Sequence, residues 1–359
     1  MSQNLSPSQD HSQELRQGQS PTPSPNPTPR RDYAARQVLS PLDRYLGDPD
    51  IFEIRINRFG EVVCDTTTGK TFFPDPAITE PMLHTLTNAL LAFNGKGRKP
   101  INDVLLPDGT RGIICWPPAT LPGTVLLSFR KHLPVTKTLA QLEQEKRFAG
   151  FSHKRQNQKG ELFPFEMEML KLLDKGDLPT FFTLAVQNHQ NIAVAGSTGS
   201  GKSTLTRSLL LEVPSHERLI ILEDIHEITA PNAGEAGFLM YEQKGDVGRI
   251  TVSEALRACT RLTPDRIIMA ELRDEAAWDY LAGANTGHPG GIFSTHADSA
   301  LTTSSRIADL VKQSAVGQGM EFETIRRKIE QTLDVVVFMK NWEVKKILYD
   351  PKGKRGITS

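Results

Sequence analysis

Cysteine is scarce in this sequence: Cys64, Cys115 and Cys259 are the only three in 359 residues. No two of them are spaced as CxxC, which excludes a tetracysteine zinc module and leaves no disulfide framework. Thiols this scattered usually pack as small hydrophobes, and the composition fits a reducing cytoplasm. Long apolar runs are missing too. None approaches the roughly 18–20 residues needed to span a bilayer, and the N-terminus lacks the apolar core of a signal peptide. Membrane association is therefore expected only through partners or a surface patch. Net charge is absent as well. Lys+Arg and Asp+Glu total 42 each, which disfavours a surface built to neutralise phosphate backbones and so direct nucleic-acid binding. There is no internal repeat.

The length suits two domains plus tails. Residues 1–33 are rich in Ser, Gln and Pro, with Pro21, Pro23, Pro25, Pro27 and Pro29 alternating with small polar residues. Such a segment has too little apolar surface to offset folding entropy and is expected to be a disordered tail. Residues 34–131 read as an α+β domain. It opens with a helix over Val38–Leu46, and Ile51–Ile56, Glu61–Asp65, Thr71–Phe73, Gly112–Trp116 and Thr124–Phe129 read as strands. Leu83, Leu86, Leu90 and Leu91 recur at helical spacing within Pro81–Phe93. Residues 132–163 are polar and uneven, and the interdomain linker is expected there. Residues 164–359 alternate strand and helix in the manner of an α/β P-loop domain with a mostly parallel sheet, closing in a hairpin of Asp334–Lys340 with Lys345–Tyr349.

The most specific signal is Gly196-Ser197-Thr198-Gly199-Ser200-Gly201-Lys202-Ser203. It follows the apolar strand Ile192–Ala195 and precedes a helix through Leu205 and Leu209–Leu211, the strand–loop–helix context that GxxxxGK[ST] requires. The glycines let successive backbone N–H groups turn inward on phosphate, and the helix N-terminus adds partial positive charge. Lys202 is expected on the β and γ phosphates of ATP, Ser203 on Mg²⁺ and Thr204 on the α phosphate. Further on, Arg218–Asp224 is an apolar strand ending in Glu223 and Asp224, with Glu227 three residues beyond. Arg266–Glu271 is another, ending in Glu271. Carboxylates at strand C-termini face the crevice where open α/β sheets bind ligands, and Mg²⁺ takes oxygen ligands, often through water. A carboxylate there can orient or activate the attacking water. Glu271 is the preferred catalytic carboxylate, with Glu223 close behind, and Asp224 is the candidate Mg²⁺ partner beside Ser203. A glycine-rich run, Thr286–Ala297, brings His288 and His296 to the sheet edge. Either imidazole can sense phosphate or simply hydrogen-bond within a turn.

In this order the P-loop, Leu222-Glu223-Asp224-Ile225-His226-Glu227, Glu271-Leu272-Arg273-Asp274 and Thr286-Gly287-His288 with Ser294-Thr295-His296-Ala297 resemble the type II/IV secretion traffic ATPases, in which such segments are the Walker A, Asp, Walker B and His boxes. The resemblance runs from about Pro41 to the C-terminus and takes in Leu106–Arg111 and Ser128–Lys131. It is nearest to the ring ATPases of type IV secretion, including conjugation. The lack of CxxC pairs speaks against the zinc-bearing branch, and Ala270 stands where Gly usually precedes the Walker B Glu. The resemblance implies a homo-hexamer of two stacked rings with nucleotide between the domains, at the cytoplasmic face of the inner membrane beside secretion-complex subunits and a coupling ATPase. It places Arg111 and Arg130 on the nucleotide and His296 among the catalytic groups. Arg257 and Arg261 read equally well as phosphate sensors or as helix-surface partners of Glu254 and Asp265. A pilus-retraction-type motor, or a nucleotide-switched scaffold with little hydrolysis, are the alternatives.

Overall fold

The computed structural model describes residues 29–131, 161–242, 250–273, 276–284 and 287–358, together with residue 144. The first part is an antiparallel sheet of β1 (Ile51–Ile56), β2 (Glu61–Thr66), β3 (Gly69–Pro74), β4 (Ile101–Leu105), β5 (Arg111–Cys115) and β6 (Leu126–Arg130). The strand order is β3-β2-β1-β6-β5-β4. The helix Glu80–Phe93 starts at Thr79, whose hydroxyl accepts from the Met82 N–H, and has Pro81 in its first turn, where the missing N–H costs nothing. Leu83, Leu86, Leu90 and Leu91 are its buried stripe.

One sequence expectation shifts here. A helix runs from Pro29 to Leu39, beginning within the last residues of the segment read as tail, and is followed by a 3₁₀ turn at Ser40–Leu42 and a short helix at Asp43–Leu46. Pro41 lacks the N–H that a continuous helix would need, so the single helix expected over Val38–Leu46 is broken. Ala35 and Leu39 are buried in the core of the first part, and this tertiary burial gives the helix a face that its Pro-rich surroundings concealed. The remainder of the tail, and all of the expected linker except residues 144 and 161–163, lie outside the described residues.

The second part is a seven-stranded sheet of β7 (Ile192–Gly196), β8 (Arg218–Glu223), β9 (Glu235–Met240), β10 (Arg266–Met269), β11 (Ile292–Thr295), β12 (Val335–Lys340) and β13 (Glu343–Leu348), in the order β13-β12-β7-β11-β10-β8-β9. All its pairings are parallel except the closing hairpin β12–β13. Ile192, Ala193, Val194 and Ala195 are fully buried, as expected of a parallel strand covered by helices on both faces.

The two parts share one apolar core, in which Ile113, Cys115, Ala119 and Leu126 join Ile220, Leu222, Leu239 and Cys259. All three cysteines are buried free thiols. Beside this core lies a charged cluster. Arg55, 1% exposed, donates from Nε to Glu235 Oε1 at 2.7 Å and from both terminal nitrogens to Asp65 at 2.6 Å. Glu235 is also paired with Arg218 and, at 3.0 Å, with Lys70. Burial, reinforced by the Arg55 charge, pushes Arg218 down from the ordinary arginine range. Burial works against Asp65 ionising, but the hydrogen bonds and charge of Arg55 outweigh it and hold the carboxyl below its usual value.

Removing one member of such a cluster strands the others in a low-dielectric interior. Glu235→Ala should therefore cost about 3–5 kcal/mol, read as a lower urea midpoint at unchanged m-value. A loss under about 1 kcal/mol would show that the cluster does not hold the two parts together. The Asp65 contribution is fully present above its unfolded pKa of about 4 and is lost as the pH falls through its lowered folded value.

Candidate active site

The site is assembled at the carboxyl edge of the parallel sheet. β7 delivers Gly196 at φ 154°, where an added Cβ would lie 2.4 Å from the Met339 carbonyl oxygen and 2.6 Å from Ser200 Oγ. No side chain fits that position. The loop ends at Gly201, in a left-handed conformation at φ 95°, and the helix Lys202–Leu211 begins at once.

Lys202 is 8% exposed, and its Nζ donates to the carbonyls of Gly196 at 3.0 Å and Ser197 at 2.9 Å. Burial lowers its pKa, while the charge of Glu271 works the other way. Thr198, Gly199, Lys202, Ser203, Asp224, Glu227, Glu271, Arg273, Ser294 and His296 line one cavity of about 330 Å³. Four of the predicted elements thus converge, although β8 and β7 are separated in the sheet by β10 and β11.

The carboxylates divide their roles. Glu223, which sequence reasoning ranked beside Glu271, is fully buried and does not line the cavity. Its Oε1 accepts from the N–H groups of Glu227 at 2.9 Å and Ile228 at 2.7 Å, and its Oε2 meets His226 Nδ1 at 2.7 Å. This carboxylate is occupied in shaping the turn after β8. Glu227 takes its place in the cavity, with Oε2 3.5 Å from Ser203 Oγ. Asp224 also faces the cavity, and its Oδ2 lies 3.2 Å from Arg273 Nη1.

Glu271 is held from two sides. Its Oε1 lies 3.1 Å from His296 Nε2, and its Oε2 accepts from Arg273 Nη2 at 2.5 Å. Arg273 therefore ties the ends of β8 and β10 together, and hydrogen bonding to Glu271 raises its pKa further above the ordinary range. Sequence reasoning quoted Arg273 but gave it no role. Its position two residues past a strand-end carboxylate was the signal available. Thr206 was missed outright: its hydroxyl is buried in the cavity wall with no hydrogen-bond partner among the described residues. A buried hydroxyl left unpaired is costly, which suits a ligand oxygen at this point.

The other predicted residues fall elsewhere. Ser197 contributes its carbonyl to Lys202, and Ser200 is buried beneath the loop. Thr204 is exposed, with its hydroxyl 3.4 Å from Arg207. His288 Nδ1 lies 2.8 Å from the Pro264 carbonyl, away from the cavity. Arg111 and Arg130 line a different cavity, with Lys96, Asp103 and Arg261, which shares no residue with the P-loop site. Arg130 lies 3.6 Å from Glu53. Arg261 pairs with Asp103 of β4 rather than with either expected partner. Asp274 and Thr286 lie outside the described residues.

A P-loop, a cavity-facing Walker B carboxylate and an Asp-box turn in this geometry match the comparisons with known proteins. Residues 156–341 match the family model described as type II/IV secretion system protein. The chain belongs to that family. It is 35% identical over 333 residues to the type IV secretion system protein VirB11 of Brucella suis, covering 89% of this chain and 91% of that one. It is 32% identical over 312 residues to the VirB11 protein of Agrobacterium fabrum, covering 85% and 89%. The crystal structure of the Brucella suis VirB11 ATPase in complex with sulphate superposes with a TM-score of 0.84 at 35% identity, over 92% of this chain and 98% of that one. The chain is an ATP hydrolase of type IV secretion, and the retraction-motor and silent-scaffold alternatives are not favoured. No helix among the described residues is long and apolar enough to cross a membrane.

Two substitutions test the division of labour. Lys202→Ala should leave the fold intact and abolish turnover, because the main charge partner of the phosphates is lost; normal turnover in the folded variant would refute the site. Glu271→Gln should cut turnover by roughly 10²–10⁴ while nucleotide still binds. Glu223→Gln should instead lower the melting temperature and leave turnover per folded molecule within about tenfold. The reverse ranking of the two carboxylates in steady-state assays would exchange their roles.

Proposed function

We propose that this chain is one subunit of a closed homo-hexameric ring that hydrolyses Mg²⁺–ATP to drive pilus assembly and substrate or DNA transfer. The observation that supports assembly is the half-open state of the site. The side chains of Arg273 and His296 are 48% and 41% exposed although both hold Glu271. Electrostatic catalysis gains most where water is excluded, so a second surface is needed over this cavity. A neighbouring subunit provides one, and heterologous contacts repeated with a closing rotation make a ring. Arg111 and Arg130 lie too far round their own chain to share the P-loop cavity, and in this reading they act on nucleotide only across a subunit boundary.

Chemically, the loop N–H groups and Lys202 hold the triphosphate, and Glu271 orients a water for attack on the γ phosphorus. The bond from that phosphorus to the ADP oxygen breaks, and the proton of the water passes to Glu271 or the released phosphate. Ser203 Oγ with the carboxylates of Glu227 and Asp224 forms a hard-oxygen set open to phosphate and water, which fits Mg²⁺. The bound cation would neutralise charge on the β and γ phosphates. His296, beside Glu271, reports the state of the γ position. Partners at the cytoplasmic face of the inner membrane, including secretion-complex subunits and a coupling ATPase, would receive the motion as ATP binding and loss shift the arrangement of the two parts.

Light scattering at micromolar protein with Mg²⁺ and a non-hydrolysable ATP analogue should report a hexamer, and specific activity should rise with protein concentration. A chain that stays monomeric and equally active at every concentration would overturn the ring.

A further inference from the structure

We infer that Trp342, at the tip of the β12–β13 hairpin, is the platform on which the purine base of the bound nucleotide stacks; the inference rests on the P-loop site described above. β12 runs parallel to β7 and stays in register with it to the pair Met339↔Gly196. The hairpin tip therefore emerges at the carboxyl edge beside the start of the phosphate loop. There it touches the loop from the other end: a Cβ added at Gly201 would lie 3.2 Å from Trp342 Cε3 and 3.2 Å from Met339 Cε. Yet Trp342 is 69% exposed, the most exposed large apolar residue among the described residues.

The backbone makes this placement costly. Asn341 and Trp342 have φ of 52° and 65°, a left-handed pair suited to Asn-Gly in a two-residue hairpin. Asn tolerates that region, whereas a bulky residue there is an outlier. Strain of this kind beside a ligand site points to a role for the side chain that is forced to adopt it.

Direction settles which part of the nucleotide Trp342 meets. The groups that handle the γ phosphate, Glu271, Arg273, His296 and Glu227, come from β8, β10 and β11, all on one side of β7. A triphosphate lying along the loop with its γ end toward those groups directs its nucleoside to the opposite side. That side is occupied by β12 and its hairpin. An exposed aromatic face there offers stacking that tolerates either purine, since every base has a π face.

The experiment compares ADP with inorganic tripolyphosphate, which has the phosphates and no base, on the full chain with Mg²⁺. Calorimetric titration of Trp342→Ala should show ADP affinity reduced about tenfold, the usual order for one lost base–aromatic stack, with tripolyphosphate affinity unchanged. Trp342→Phe should restore ADP binding to within about threefold, since a smaller ring still stacks. ADP should quench the indole emission of the wild type, and this response should vanish in Trp342→Phe, because Trp116 is buried and Trp278 is partly buried in the core. Unchanged ADP affinity in Trp342→Ala, or equal losses for both ligands, would overturn the base platform while leaving the P-loop reading intact. A wild-type chain that binds neither ligand would instead overturn the nucleotide site itself.

Discussion

The ladder that flanks β7 on both sides is the constraint on which the site depends. β11 and β12 pair with it in parallel, residue against residue, from Ile192 to Ala195 on the one side and to Gly196 on the other. Because parallel strands end at the same edge, Gly196, Thr295 and Met339 arrive together, and the phosphate loop, the His296 segment and the hairpin tip are delivered to one crevice. Five consecutive buried positions in β7 leave it no freedom to slip, since a one-residue shift would turn every side chain to the opposite face. The Lys202 ammonium can then lie over its own loop carbonyls because the loop cannot open around it.

Around that fixed loop, charge is distributed by burial. Glu223 is enclosed and satisfied by two backbone N–H groups and an imidazole, so it acts as scaffold. Glu271, one strand away, remains at the cavity wall in the grip of Arg273 and His296. Phosphate oxygens are the natural competitors for Arg273. Arg273 also reaches Asp224, and Asp224, Ile225 and His226 line one largely apolar cavity with Pro117, Pro118 and Pro122 of the first part.

The contact between the two parts has the character of an interior. It combines continuous apolar packing with a buried charge cluster around Arg55 and Glu235. Such clusters add little net stability over an apolar core, but they penalise any misplacement that separates the partners.

Much of this was legible in the amino-acid sequence because its cause is local. A phosphate cradle is built from eight contiguous residues between a strand and a helix, and the alternation of the N-terminal strands and the apolar runs of the parallel sheet are likewise properties of neighbouring residues. The order of the boxes carried the family for the same reason. What only the tertiary structure decided are relations between residues far apart in the chain. β9, an edge strand beginning in Glu235, did not read as a strand because its first side chain is a charge whose burial depends on partners far off in the chain, among them Arg55 and Lys70. The helix from Pro29 exists because Ala35 and Leu39 find a core that their own segment does not contain. Glu223 and Glu271 look alike as strand-end carboxylates, and enclosure alone separates them. Arg111 and Arg130 sit at strand ends as expected, but the packing of the first sheet turns them to another cavity. Trp342 lies 141 residues beyond Gly201, and only the register of β12 on β7 brings the two into contact.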